Sequence, residues 1–280
     1  MRERLRRKPI LVAPGVYDAF GAVFAEHAGF EALYLSGASI AYTKLGRPDI
    51  GLVSVSEVEA TLAAICDRVK LPVIVDADTG FGNALNVMRT VRQLERAGAA
   101  AIQLEDQSTP KRCGHLEGKS LVPATEMAGK LKAAVDSRTS ALIIARTDAI
   151  AVEGLQPALE RAERYFEAGA DMLFIEAPRD EAQVQRVAGA FDAPLLYNYA
   201  PGGRSPLLPF ARLRELRYAV ILLPVDTLLV GVRAIADFLG ELKKRDDVTS
   251  LGDRYMPFAD FNQLIGAMAM MEAADRYRDE

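Results

Sequence analysis

What most constrains this chain is a rhythm. Eight short, apolar, β-rich runs recur along its length: Ile10 to Ala13, Ala32 to Ser36, Pro72 to Asp78, Ala101 to Glu105, Leu142 to Arg146, Met172 to Glu176, Pro194 to Asn198 and Ala219 to Pro224. Between them lie amphipathic stretches of helical period, the pattern of parallel strands covered by helices. Three of the helical stretches end in Ala-Gly just before a strand, at Gly29, Gly98 and Gly169, where glycine makes a natural helix stop. Eight such units in 280 residues predict an α/β protein, a (β/α)8 TIM barrel, with an open doubly wound sheet as the alternative.

Half of the residues are hydrophobic, ample for one large core, and no Pro-rich or Ser-rich linker divides the chain. The division expected is a catalytic barrel over 1–245 and a helical extension over 246–280. Its "FADFNQLIGAMAMMEAADRY" reads as one apolar-faced helix, packing either on its own barrel or on a neighbouring subunit. The net charge of −4 and the lack of basic aromatic clusters argue against nucleic-acid binding. No run of about 18 apolar residues offers a membrane span. Two cysteines cannot make a disulfide framework and suit a reducing compartment, so a cytoplasmic location is expected. The basic start, "MRERLRRKP", reads as a solvated turn rather than a leader.

In a barrel the C-terminal strand ends converge on one mouth. Here those ends carry Ser36, Asp76, Asp78, Glu105, Arg146, Glu176 and Asn198. Singly, each reads as a turn former or cap; jointly, ionisable groups closing apolar strands point to a site. Asp76 and Asp78, two apart on an extended strand, would face the same side, and Glu105 would add a third anion. Oxygen ligands without clustered His or Cys suit a hard cation, Mg2+ or alternatively Mn2+. The turn "SGAS", Ser36 to Ser39, offers backbone N–H groups and hydroxyls to a carboxylate or phosphate, or is simply tight.

Between the Glu105 strand and a helix near Thr125 lie about 18 residues without regular structure, the length of a functional lid. Within them "TPKRCGHLEGKS" places Cys113 and His115 one glycine, Gly114, apart. Lys111, Arg112, His115 and Lys119 would carry positive charge toward the acidic mouth and its small anionic substrate, and are expected to lower the Cys113 pKa. Cys66 reads as helix core.

With "SGAS", "DADTGFGN", "EDQ" and "KRCGH" in this order, the chain resembles the isocitrate lyase and phosphoenolpyruvate mutase superfamily. The resemblance implies a (β/α)8 barrel that binds Mg2+ and small 2-oxo or 2-hydroxy acids, as a homotetramer exchanging C-terminal helices. It implies a metal site at Asp76, Asp78 and Glu105, with Asp49 as an outer acid. Ser36, Gly37 and Ala38 would cradle the substrate carboxylate, Gly114, Glu176 and Asn198 line the pocket, Arg146 stabilise developing negative oxygen, and Cys113 act as catalytic acid. Tyr34, Glu105 and His115 stay open as the base.

Two departures bear on the substrate. Leu229 stands where methylisocitrate lyases resemble one another in carrying an arginine, and Pro201 replaces an acid. An apolar contact in place of a charged one favours an alkyl tail over a third carboxylate. The resemblance therefore implies a lyase releasing a 2-oxo acid such as pyruvate from a 2-alkylmalate, dimethylmalate or methylisocitrate. Oxaloacetate decarboxylation or hydrolysis, a carboxyphosphonoenolpyruvate mutase, and a non-catalytic 2-oxo acid binding protein are the alternatives.

Overall fold

The computed structural model describes residues 1–5, 10–245 and 247–278. Eight parallel strands, β1 (Leu11–Val16), β2 (Leu33–Leu35), β3 (Val73–Asp76), β4 (Ala99–Glu105), β5 (Leu142–Thr147), β6 (Met172–Ile175), β7 (Leu195–Asn198) and β8 (Val220–Leu223), pair in chain order. The ring closes by β1 pairing with β8, so the barrel expectation holds and the open sheet does not. β1 runs past Ala13 through Pro14 to Val16, because proline is tolerated near the end of a ladder.

Alternation along the strands sorts every side chain. Ala101, Leu142, Ile144, Phe174 and Leu196 point into the barrel; Ile102, Ile143, Ala145, Leu173 and Leu195 point out, under the helices. Continued to the strand ends, the inward parity reaches Ser36, Asp76, Gln103, Glu105, Arg146, Glu176 and Asn198. The polar mouth is thus the top layer of the interior that Ile74 and Phe174 fill below.

The covering helices follow in order: α1 (Arg2–Leu5), α2 (Ala19–His27), α3 (Gly37–Ile40), α4 (Val55–Arg68), α5 (Ala84–Arg96), α6 (Ala124–Ser137), α7 (Ala149–Val152), α8 (Leu155–Glu167), α9 (Glu181–Ala188), α10 (Phe210–Glu215) and α11 (Asp226–Arg245). α4 starts at a capping box, where Ser54 and Glu57 satisfy each other's N–H groups. The expected solvated N-terminal turn is corrected: Met1 and Leu5 pack against the barrel interior from below, and Arg2 pairs with Asp171 at 2.7 Å. Residues 6–9 of that stretch lie outside the described residues.

The expected single C-terminal helix is two, α12 (Phe258–Ile265) and α13 (Ala267–Asp275), broken at Gly266 with φ 76°. α12 packs on α2 through Phe261 and Phe20, whose ring centroids are 5.8 Å apart. Phe258, Met268, Met270 and Tyr277 nevertheless stay largely exposed.

Candidate active site

A cavity of about 290 Å³ opens at the barrel mouth. Of the residues singled out from the sequence, Tyr34, Ser36, Ala38, Asp49, Asp76, Cys113, Gly114, His115, Arg146, Glu176 and Asn198 line it. Gly37, Asp78 and Glu105 sit just behind that lining: a Cβ on Gly37 would lie 3.4 Å from oxygens of both Asp76 and Asp78. Ser36 caps α3, its hydroxyl oxygen accepting from the Ser39 N–H at 3.2 Å, so the small-residue turn is a helix start.

Arg146 is the electrostatic centre. Its guanidinium reaches Glu105 Oε2 at 3.3 Å and Glu176 Oε2 at 3.4 Å, and forms a fork with Asp148 at 3.0 and 3.2 Å. Below, it lies over the Phe174 ring, 5.1 Å from the centroid. Burial works against its charge, but Asp148, Glu105 and Glu176 overcome that and hold it firmly protonated. Glu176 also accepts from Asn198 Nδ2 at 3.0 Å.

The "EDQ" segment divides its labour. Glu105 faces Arg146; Asp106 accepts from Thr147, Tyr165 and the Asp148 N–H at 2.7, 2.8 and 3.0 Å, fixing the end of β5. Gln107 exchanges two hydrogen bonds with the Arg112 backbone, at 2.8 and 2.9 Å, tying the first leg of the lid to the barrel.

The acidic cluster departs from expectation in two ways. β3 ends at Asp76, and Asp78 turns out of the strand with φ 45°, its N–H donating to Asp76 Oδ1 at 3.2 Å. Among the described residues no three His, Cys, Asp or Glu side chains converge as a ready metal cage. Lys111 stands among these acids instead, its Nζ reaching in from the lid to Asp49 Oδ1 at 2.5 Å and Asp78 Oδ1 at 2.8 Å. The donors still fit a hard cation that keeps waters. Glu105 Oε1 is buried with no hydrogen-bond partner among the described residues, and burial, opposed by Lys111, pushes the Asp78 carboxyl up to about 7.

The lid lies over the mouth. Gly114 is pressed against the barrel: a Cβ there would come within 2.4 Å of Arg146 Nη2 and 2.7 Å of Glu176 Cγ, so only glycine fits. His115 Nδ1 accepts from the Arg204 N–H at 3.1 Å, and Nε2 faces Asn198 and Glu176. Arg112 turns away, donating to the Glu117 carbonyl. The expected lowering of the Cys113 pKa is corrected: burial pushes the thiol up, against a smaller opposing pull from the His115 N–H and Arg146. Tyr34 likewise stays a phenol, its buried hydroxyl donating to Gln103 Oε1 at 3.2 Å.

Sequence reasoning missed Gln103, Asp148 and Tyr42. Gln103 was reachable, being two residues before Glu105 on the inward parity; it bridges Tyr34 and Asp76, donating to the latter at 3.1 Å. The remaining wall is apolar, with Tyr42, Ala200, Pro201, Pro224, Val225 and Leu229, and no helix of the described residues is long and apolar enough to cross a membrane.

Similarity to known proteins agrees with this geometry. The 2,3-dimethylmalate lyase of Eubacterium barkeri is 44% identical over 279 residues, spanning 99% of this chain and 96% of that protein. A 2-methylisocitrate lyase of Aeropyrum pernix is 47% identical over 266 residues, 95% of this chain and 86% of that protein. A crystal structure of 2,3-dimethylmalate lyase, described as a PEP mutase/isocitrate lyase superfamily member, superposes with TM-score 0.93 at 32% identity, covering 99% of this chain and 93% of that one. Phosphonopyruvate hydrolase in complex with oxalate and Mg2+ superposes with TM-score 0.89 at 29% identity, covering 99% and 97%. The family model described as phosphoenolpyruvate phosphomutase matches residues 1–243, and the chain belongs to that family.

Proposed function

We propose that the protein is a divalent-metal-dependent lyase that cleaves a 2-hydroxy-2-alkyl dicarboxylate between C2 and C3, giving a 2-oxo acid such as pyruvate and a carboxylic acid. The observation that carries this reading is Cys113, a thiol kept protonated by burial and held by the lid against the same cavity that Arg146 lines. Asp76, Asp78 and Glu105, with Asp49 as an outer acid, would hold Mg2+ or Mn2+, which when bound supplies Lewis-acid polarisation of the C2 oxygen. Arg146 stabilises negative charge on that oxygen. Glu105, whose buried Oε1 has no hydrogen-bond partner among the described residues, accepts the C2 hydroxyl proton. The C2–C3 electron pair passes to C3 of the departing acid, and C3 takes its proton from Cys113 Sγ. The proton taken up at Glu105 goes to solvent and the thiolate is reprotonated when the lid opens.

Ser36 and Ala38 cradle one carboxylate, while Glu176, Asn198 and His115 orient the rest. The apolar wall from Ala200 to Leu229 receives the alkyl tail. Among the described residues lining the cavity, Arg146 is the one Lys or Arg, which leaves a third carboxylate without a partner. An alkylmalate of the dimethylmalate type is therefore favoured over methylisocitrate.

The same reading takes 1–245 as the catalytic barrel and 246–280 as a helical extension that packs on its own barrel through α12 and offers its remaining apolar surface to a neighbour in a cytoplasmic homotetramer. Exposed Val230 and Ile235 on α11, with Met268 and Met270 on α13, support it as surface that a lone subunit leaves uncovered. Light scattering with and without the residues after Arg245 tests that assembly. For the reaction, the protein is incubated with Mg2+ and, separately, 2-methylmalate, 2,3-dimethylmalate, 2-methylisocitrate and oxaloacetate, and 2-oxo acid release or oxaloacetate loss is followed. Metal-dependent turnover of an alkylmalate, lost with EDTA and restored by Mg2+, is expected. Loss of oxaloacetate alone would replace this reading with the hydrolase or decarboxylase.

A further inference from the structure

Lys119 plays no part in the chemistry just described, yet its side chain is only 1% exposed. A lysine on a surface loop ordinarily keeps its ammonium in water. Here Nζ lies 3.4 Å from Asp148 Oδ1 and donates to the carbonyl of Gly114, the residue between Cys113 and His115. Asp148, in turn, is fully buried and forks the Arg146 guanidinium. Its backbone N–H is held by Asp106, so it cannot drift with the lid. One ammonium thus joins three things: the returning leg of the lid, the backbone beside the thiol, and the carboxylate that aims Arg146.

We infer that Lys119 is a positioning residue for Cys113: bound to Asp148, it clasps the lid shut and sets the Cys113-Gly114-His115 segment against Arg146 and Glu176. The chain geometry supports this. Gln107 ties the first leg at Arg112, the Cys113 N–H donates to the Asp49 carbonyl at 3.1 Å and His115 Nδ1 accepts from the Arg204 N–H. On the returning leg Arg204 pairs with the exposed Glu117 at 3.0 Å and the Ser108 N–H donates to the Ser120 carbonyl at 2.8 Å. Lys119 alone among these carries a buried charge into the barrel mouth and bonds the Gly114 carbonyl. Without Lys119 the Gly114 carbonyl, packed against the barrel, loses its donor, and Asp148 loses the cation that shares it with Arg146. Uncompensated buried groups of this kind destabilise the arrangement that buries them, which here is the closed lid.

The inference rests on the lyase reading for its meaning, but its test does not need a substrate. In the full-length protein with Mg2+, the rate of Cys113 alkylation by iodoacetamide is measured by mass spectrometry, with Cys66 on α4 as internal reference. Lys119→Met is expected to raise Cys113 labelling about 10- to 100-fold, the equivalent of one lost charge-assisted hydrogen bond. Cys66 labelling and the melting temperature should stay unchanged, and tryptic cleavage after Arg112 should accelerate. Lys119→Arg should restore the slow rate, and Asp148→Asn should expose Cys113 as Lys119→Met does. Cys113 labelling at the wild-type rate in Lys119→Met would overturn the clasp, as would a parallel rise at Cys66, which would mean a general loosening. If the labelling changes as expected and no alkylmalate is turned over, the clasp stands and the proposed reaction falls.

Discussion

The two ends of the barrel interior obey one rule of alternation and put it to opposite uses. At the floor, Leu11, Ile74, Leu142 and Val220 are buried with apolar neighbours, and Met1 and Leu5 close them off from below. At the mouth, Asp76, Glu105, Arg146 and Glu176 are as deeply buried on the same parity, but as charges. The floor gains free energy from burial, roughly 25 cal/mol per Å² of apolar surface. The mouth gives some back, since each buried charge must be matched by a partner. Function and stability are therefore separated along the strands by a single layer of side chains.

Substitutions can break or sharpen that separation. The largest expected effect is at the lid: Cys113→Ala should lower kcat by about 10³-fold, the scale of a lost general acid, with no change in melting temperature. Retention of full cleavage activity would remove Cys113 from the chemistry. Ile74→Ala should do the reverse, costing about 2–5 kcal/mol in urea unfolding while KM and kcat of the folded protein hold. Phe174→Ala sits on the boundary, under Arg146, and should cost about 3–5 kcal/mol and activity together. If it cost stability alone, the mouth would be more independent of its floor than the Arg146–Phe174 contact implies.

Smaller effects refine the picture. Leu229→Arg should shift preference about 10-fold toward a tricarboxylate, read as the ratio of kcat/KM for methylisocitrate and dimethylmalate. At the floor-side rim, burial raises the Glu95 carboxyl, but the N–H groups of Ser140, Thr139 and Ala141 outweigh it and hold the pKa low. A lowered carboxyl adds stability above its unfolded value, and this is lost as pH falls through the folded one. Glu95→Gln should therefore flatten the acid limb below about pH 4.5, by about 1 kcal/mol or less after solvent screening.

Most of this was legible in the chain itself, because parity and strand ends are local. The run "LIIAR" states both that Ile144 points inward and that Arg146 must follow it. What stayed hidden depends on contacts distant in sequence. No spacing reveals that Lys111 will meet Asp49, 62 residues earlier, or that Lys119 will reach Asp148. The Cys113 thiol was misjudged for the same reason: neighbouring cations are visible in "KRCGH", whereas desolvation by the barrel is not. The break at Gly266 had a local signal, a glycine inside an apolar helix, that the amphipathic pattern overrode.

The acid that ends the proposed reaction arrives on a loop, whereas Arg146 and Asn198 stand on strands. Heritable change can act on these two parts at different rates. A short insertion or replacement between Gln107 and Leu121, where the chain leaves and rejoins the barrel through one antiparallel bridge, alters the fate of a bound oxo acid while leaving Ser36, Arg146, Glu176 and Asn198 in place. A scaffold built this way can diversify its reactions while conserving its appetite for one class of small acids.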